Sequence, residues 1–107
     1  MRAIPKQFQM GPHTITVRIV SKAEMAAQCK RNGHPPSTLG YTIFDTNEIF
    51  VLRASPSFPK RMQEHTFWHE YFHMLMERAS RPRLARDENL VDTLGGLQLQ
   101  AFNTARY

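Results

Sequence analysis

Thr66-Phe67-Trp68-His69-Glu70-Tyr71-Phe72-His73-Met74-Leu75 is the stretch on which the reading of this chain turns. It holds the pattern HExxH at residues 69–73. Two histidines four apart on a helix stand one turn above each other, so both imidazoles can reach one metal ion. A glutamate beside the first histidine lies next to that ion, where it can take a proton from water. Five His and six Glu among 107 residues give roughly 0.01 accidental matches, so the surroundings must decide. No proline falls between Lys60 and Ala79, and the run predicts a helix over 60–79 closed by Ser80-Arg81-Pro82. At ~100° per residue, Phe67, Tyr71, Leu75, Trp68, Ala79 and Phe72 share one arc and face a core. His69, His73, Glu77 and Glu70 gather on the other arc, between roughly 200° and 300°. A chance motif has no reason to respect that division.

A catalytic zinc needs three protein ligands and an open position. No His or Cys follows His73, which excludes a downstream third histidine. The acidic candidates are Glu77, Asp87, Glu88 and Asp92. Glu77 lies on the same helix as both histidines and crowds rather than opposes them. Glu88 opens the next predicted helix, 87–104, with Asp87 as a possible cap. If that helix packs antiparallel after a turn at Ser80–Arg86, Glu88 returns towards the metal. Asp92, one turn on, can accept a hydrogen bond from the far nitrogen of a ligand histidine and so fix its tautomer. Alternatively, Glu88 and Asp92 are two acids favoured by the helix dipole. Leu90, Leu94, Leu97 and Ala101 are read as the buried face of this helix, and Gly95-Gly96 would allow a close helix approach.

Upstream, Thr14–Val20 alternates, with Ile15, Val17 and Ile19 on one face: a half-buried strand. Lys22–Arg31 reads as a short helix capped by Ser21, ended by Asn32-Gly33 and followed by a His34–Ser37 loop. Gly40–Phe44 and Glu48–Arg53 read as a hairpin about Asp45-Thr46-Asn47. The order strand, helix, two strands, helix, helix predicts an α+β fold. A small sheet of about three strands would carry its helices on one face, all within one domain spanning residues 1–107.

Hydrophobic content of 41% and charged content of 21% are ordinary for a globular chain. No apolar run reaches the ~20 residues of a membrane helix, and residues 1–10 carry no signal-peptide stretch. Cys29, alone, forms no internal disulfide and reads as a buried thiol. These features predict a soluble cytoplasmic protein with no membrane partner. The net charge is +5. Its one small cluster, Arg78, Arg81, Arg83 and Arg86, lacks the aromatic interleaving of a single-strand platform and reads as a solvated loop.

With HExxH and a downstream glutamate, the chain resembles the gluzincins, and among them the small ImmA/IrrE-type metallopeptidases. The resemblance covers roughly residues 40–102. It implies a minimal zincin-like domain and Zn2+ held by His69, His73 and Glu88. It also implies Glu70 as general base and a cytoplasmic protein or peptide substrate, such as a bacterial or phage regulator. The implied chemistry is metal-assisted hydrolysis of an amide bond. Tyr41, Tyr107 and His65 are the candidate oxyanion donors, and no residue is singled out as a substrate contact. The run Glu48–Arg53 is a candidate edge strand to which an extended peptide could add; alternatively it is central. Two other classes stay open. One is a zinc-binding regulatory module without turnover, favoured by the short C-terminal end and opposed by the intact Glu70. The other is a basic nucleic-acid-associated protein.

Overall fold

The computed structural model describes residues 4–35 and 37–106. It is an α+β fold built on a four-stranded mixed sheet. β1 is Gln7–Met10, β2 His13–Val20, α1 Lys22–Asn32, β3 Gly40–Ile43, β4 Glu48–Leu52, α2 Lys60–Arg78, α3 Pro82–Ala85 and α4 Glu88–Thr104. The sheet order is β1-β2-β4-β3, with β2 and β4 parallel and the other two pairings antiparallel.

The sheet has four strands where the sequence predicts about three. The extra one, β1, is only four residues long, too short for its alternation to register. Its turn into β2 is Gly11-Pro12, since Met10 pairs with His13. Gly11 there has φ 63°, the left-handed backbone that a two-residue hairpin loop asks of its first residue.

The helices do not all lie on one face. Ile15, Val17, Ile49 and Val51 point to one side and pack with Phe67, Trp68, Met74 and Leu99 of α2 and α4. Val20, Tyr41 and Phe50 point to the other and are covered by Met25 and Cys29 of α1. The reason lies in β4, where Ile49, Phe50 and Val51 are all buried. A strand that is apolar on both faces needs cover on both. Tyr41, its register partner, stacks flat on Phe50 at 4.8 Å between ring centroids. Ile19, read as inward-facing, is 38% exposed. Cys29 is buried, as expected.

β4 is therefore central, and the outer strand on this side is β3. The expectation of an edge strand at Glu48–Arg53 is corrected. Glu48 is instead held by Arg18 Nε at 2.6 Å and by Thr46 Oγ1 at 2.7 Å. Those hydrogen bonds, Thr46 first and then Arg18, lower its carboxyl pKa.

α1 starts at a reciprocal box: Glu24 N–H donates to Ser21 Oγ, and Ser21 N–H donates to Glu24 Oε1. Gly33 ends it in the left-handed region at φ 75°. The turn after α2 contains α3, which the sequence reading passed over as Ser80–Arg86. Pro82 opens it, as a first-turn position allows.

Arg78 does not belong to a solvated cluster. Its Nε and Nη2 donate to Asn47 Oδ1 at 3.1 and 2.6 Å, and Nη2 also donates to the Phe44 carbonyl at 2.5 Å. It ties the end of α2 to the β3–β4 turn, where Asn47 has φ 56°. Arg78→Met should strand those acceptors and cost roughly 1–3 kcal/mol. A thermal melt reads this directly, and an unchanged midpoint would contradict the role.

The face of α4 also differs from expectation. Val91, Gly95 and Leu99 are buried against α2, while Leu97 is 57% exposed and Ala101 is exposed. A seam of spacing four places Glu88 and Asp92 beside the buried stripe, rather than at the margin of a Leu90–Leu94–Leu97 face. Among the described residues no helix is long and apolar enough to cross a membrane.

Candidate metal centre

α2 carries His69 and His73 with their ring centroids 4.9 Å apart. α4 runs antiparallel to it: Glu88 meets His73 and His69, and Asp92 meets His69 and His65 further back along α2. Asp87 sets where α4 begins, its carboxylate accepting from Leu90 N–H at 3.0 Å. That cap makes Glu88 the first helical residue, pointing back at the histidines.

Three ligand atoms converge. Glu88 Oε1 lies 2.9 Å from His69 Nε2 and 3.3 Å from His73 Nε2. The two Nε2 atoms are 3.2 Å apart. Ligands at zinc–nitrogen and zinc–oxygen distances around a tetrahedral ion stand ~3.3–3.4 Å from one another. The triangle is at most a few tenths of an ångström tighter than that.

Both histidines use their other nitrogen outside the triangle. His69 Nδ1 donates to Asp92 Oδ1 at 3.0 Å, and His73 Nδ1 donates to the Ala85 carbonyl. Those acceptors place a ring proton on each Nδ1, so that in the neutral tautomer Nε2 offers its lone pair inwards. With neutral imidazoles, three lone-pair atoms converge there and can serve as ligands to one cation. Such a set could hold a metal ion with three protein ligands and one open position.

Glu70 stands beside the triangle without joining it. Ligand atoms of His69, Glu70 and His73 fall within 4.8 Å of one another, but Glu88 is nearer to both nitrogens. Glu70 Oε1 accepts from Thr42 Oγ1 on β3 at 2.8 Å. The wheel places Glu70 on the polar arc, yet it is only 7% exposed, because β3 covers that part of α2. The approach is close. A Cβ on Gly40 would sit 2.7 Å from Thr66 Cγ2 and 3.5 Å from Glu70 Cγ. Burial pushes the Glu70 carboxyl pKa up, against the pull of Thr42, His73 and His69. A carboxyl group raised in this way is better suited to accept and return a proton than an exposed one.

A cleft of about 740 Å³ opens over the centre. Its lining includes His69, Glu70, His73, Glu88 and Asp92, and it does not include Glu77. Of the oxyanion candidates, Tyr41 lines the cleft, but its hydroxyl is engaged by α1. Its hydroxyl donates to Gln28 Oε1 at 3.2 Å, and burial raises its pKa. Tyr107 lies outside the described residues. His65 does border the cleft, with Nε2 3.3 Å from the Asp92 carbonyl and 3.4 Å from Asp92 Oδ1. His65 thus shares with His69 the carboxylate that orients the ligand ring.

Thr42 and the Ala85 carbonyl escape sequence reasoning. No local pattern in Gly40–Ile43 marks a threonine as the partner of a glutamate 28 residues away. A backbone carbonyl carries no sequence signal. Asp92→Asn should lower zinc affinity by ~10–100-fold, as loss of an orienting carboxylate does elsewhere. Competition with a chromophoric chelator measures it, and an unchanged affinity would remove Asp92 from the centre. No protein family, curated protein or solved structure matches the chain.

Proposed function

We propose that the protein is a zinc-dependent peptidase that hydrolyses a peptide bond in a protein substrate. The observation that carries this reading is the triangle of His69 Nε2, His73 Nε2 and Glu88 Oε1 with the buried carboxyl of Glu70 beside it. A zinc ion held there would supply an acidified water and polarise a carbonyl. Glu70 takes the proton from the water and returns it to the leaving amine. Thr42 holds the Glu70 carboxylate in place through its hydroxyl. Asp92 and the Ala85 carbonyl keep the two imidazoles in one tautomer.

A purely structural zinc has no use for a base and is usually closed by four protein ligands. An intact Glu70 beside an open position favours a peptidase over a binding module. The substrate backbone has a place to pair: β3 is the outer strand and its Gly40, Tyr41 and Thr42 line the cleft. The resemblance to ImmA/IrrE-type enzymes adds a cytoplasmic setting and a regulator as the substrate. The test is incubation of zinc-loaded protein with a proteome-derived peptide mixture, reading new termini by mass spectrometry. Zinc-dependent cleavage abolished by a chelator is expected. Tight zinc without any cleavage would favour the binding module instead.

A further inference from the structure

A second cavity, of about 510 Å³, adjoins the cleft, and the two share Thr38, Leu39 and Met62 as a common wall. Leu39 is 40% exposed and Met62 48% exposed, so two large apolar side chains stand uncovered where the cavities meet. Behind them lie Met25 and Phe58, both buried. The rim carries Lys22 and Arg53. Both are exposed, and neither enters an ion pair among the described residues. An apolar recess with two uncommitted cations at its mouth fits a large apolar side chain next to a carboxylate.

The distance from the metal centre suits a polypeptide. Leu39 leads directly into β3, its carbonyl accepting from Leu52 N–H at 2.9 Å. Thr42, three residues along the same strand, touches Glu70. At ~3.3 Å per residue this spans roughly 10 Å. A peptide lying beside β3 with its scissile bond at Glu70 would bring a residue about three positions away to Leu39.

We propose that this second cavity is a substrate subsite. It takes a large apolar side chain about three residues from the cleaved bond, with an acidic neighbour held by Lys22 and Arg53. The proposal rests on the peptidase reading for its distance from the bond, but the cavity's ligand class can be tested without catalysis.

The first arm uses the full chain labelled with 15N and the probe acetyl-Phe-Glu-amide, with acetyl-Ser-Glu-amide as control. The Phe probe should shift the amides of Met25, Ala54 and Phe58 and bind roughly tenfold or more tighter than the Ser probe, the range for burying one large apolar side chain. Met62→Glu should weaken the Phe probe, and Arg53→Glu should remove the advantage of Glu over Gln in the probe's second position. Equal affinity of the two probes, or shifts confined to other parts of the surface, would overturn the proposal. The second arm is cleavage of the peptide mixture. Wild type should favour Phe, Leu or Met about three residues from the new terminus, and Met62→Glu should lose that preference among whatever bonds it cleaves. Cleavage with no preference there would overturn the subsite and leave the peptidase reading intact. Probe binding without any cleavage would support the cavity's ligand class and remove the peptidase reading.

Discussion

Glu70→Gln is expected to keep one zinc per chain and to lose at least ~100-fold in peptide hydrolysis, the usual effect of removing a general base. The substitution is nearly isosteric, and the amide oxygen can still accept from Thr42 Oγ1, which now donates to Glu70 Oε1 at 2.8 Å. The packing of Glu70 Cγ near Gly40 is untouched. On the proposed assignment the ligands are His69, His73 and Glu88, whose donor atoms converge away from Glu70, so metal binding should be spared. What disappears is the ability to take up a proton in a site that burial has already tuned upward. The loss should therefore fall on kcat more than on KM. A Gln variant as active as wild type on any cleaved substrate would end the proposed role.

Gly95→Val is expected to lower the melting temperature and zinc affinity together. A Cβ at Gly95 would sit 2.9 Å from His69 N, 3.1 Å from Trp68 C and 3.2 Å from His69 Cα. All three are backbone atoms of α2, so the clash cannot be relieved by turning a side chain. Overpacking of this kind costs roughly 1–3 kcal/mol, and valine's two further methyl groups add to it. Alanine would recover up to ~1 kcal/mol of helix propensity, so Gly95→Ala should do less harm. Any relief that moves α4 outwards also carries Glu88 and Asp92 away from the histidines. Gly96 supplies the control. A Cβ there meets only the His65 imidazole, at 3.5 Å, so Gly96→Ala should be neutral or stabilising. A Gly95→Val protein as stable and as zinc-avid as wild type would show that the helices do not need this contact.

The motif, its helix and the helix that follows were legible because each carries a local pattern. HExxH has fixed spacing, α2 has two segregated arcs, and α4 has an aspartate cap followed at once by Glu88. The Ser21 cap of α1 is likewise a short-range signal. What stayed hidden depends on long-range pairing. β1 is defined by its partner β2 more than by its own four residues. The central place of β4 follows from its parallel pairing with β2, which no local alternation announces. Glu70 fell on the polar arc of the helical wheel, and its burial stayed hidden because the wheel does not know that β3 lies over it. The inward face of α4 was misread because leucines outnumber the smaller Val91 and Gly95, and packing chose the seam where the backbones could come closest. Arg78 looked like part of a basic cluster, since its partners at Phe44 and Asn47 are over 30 residues away.

The zinc content and affinity of wild type, Glu88→Ala and Glu77→Ala, measured on purified protein, test the central claim most directly. Glu88 Oε1 stands within 3.3 Å of both inward nitrogens, whereas Glu77 does not line the cleft. Wild type should hold one zinc per chain, Glu88→Ala should bind it far more weakly, and Glu77→Ala should differ little. His69→Ala and His73→Ala should each lose the metal. Zinc held stoichiometrically in both histidine variants, or lost in Glu77→Ala and kept in Glu88→Ala, would contradict the assignment.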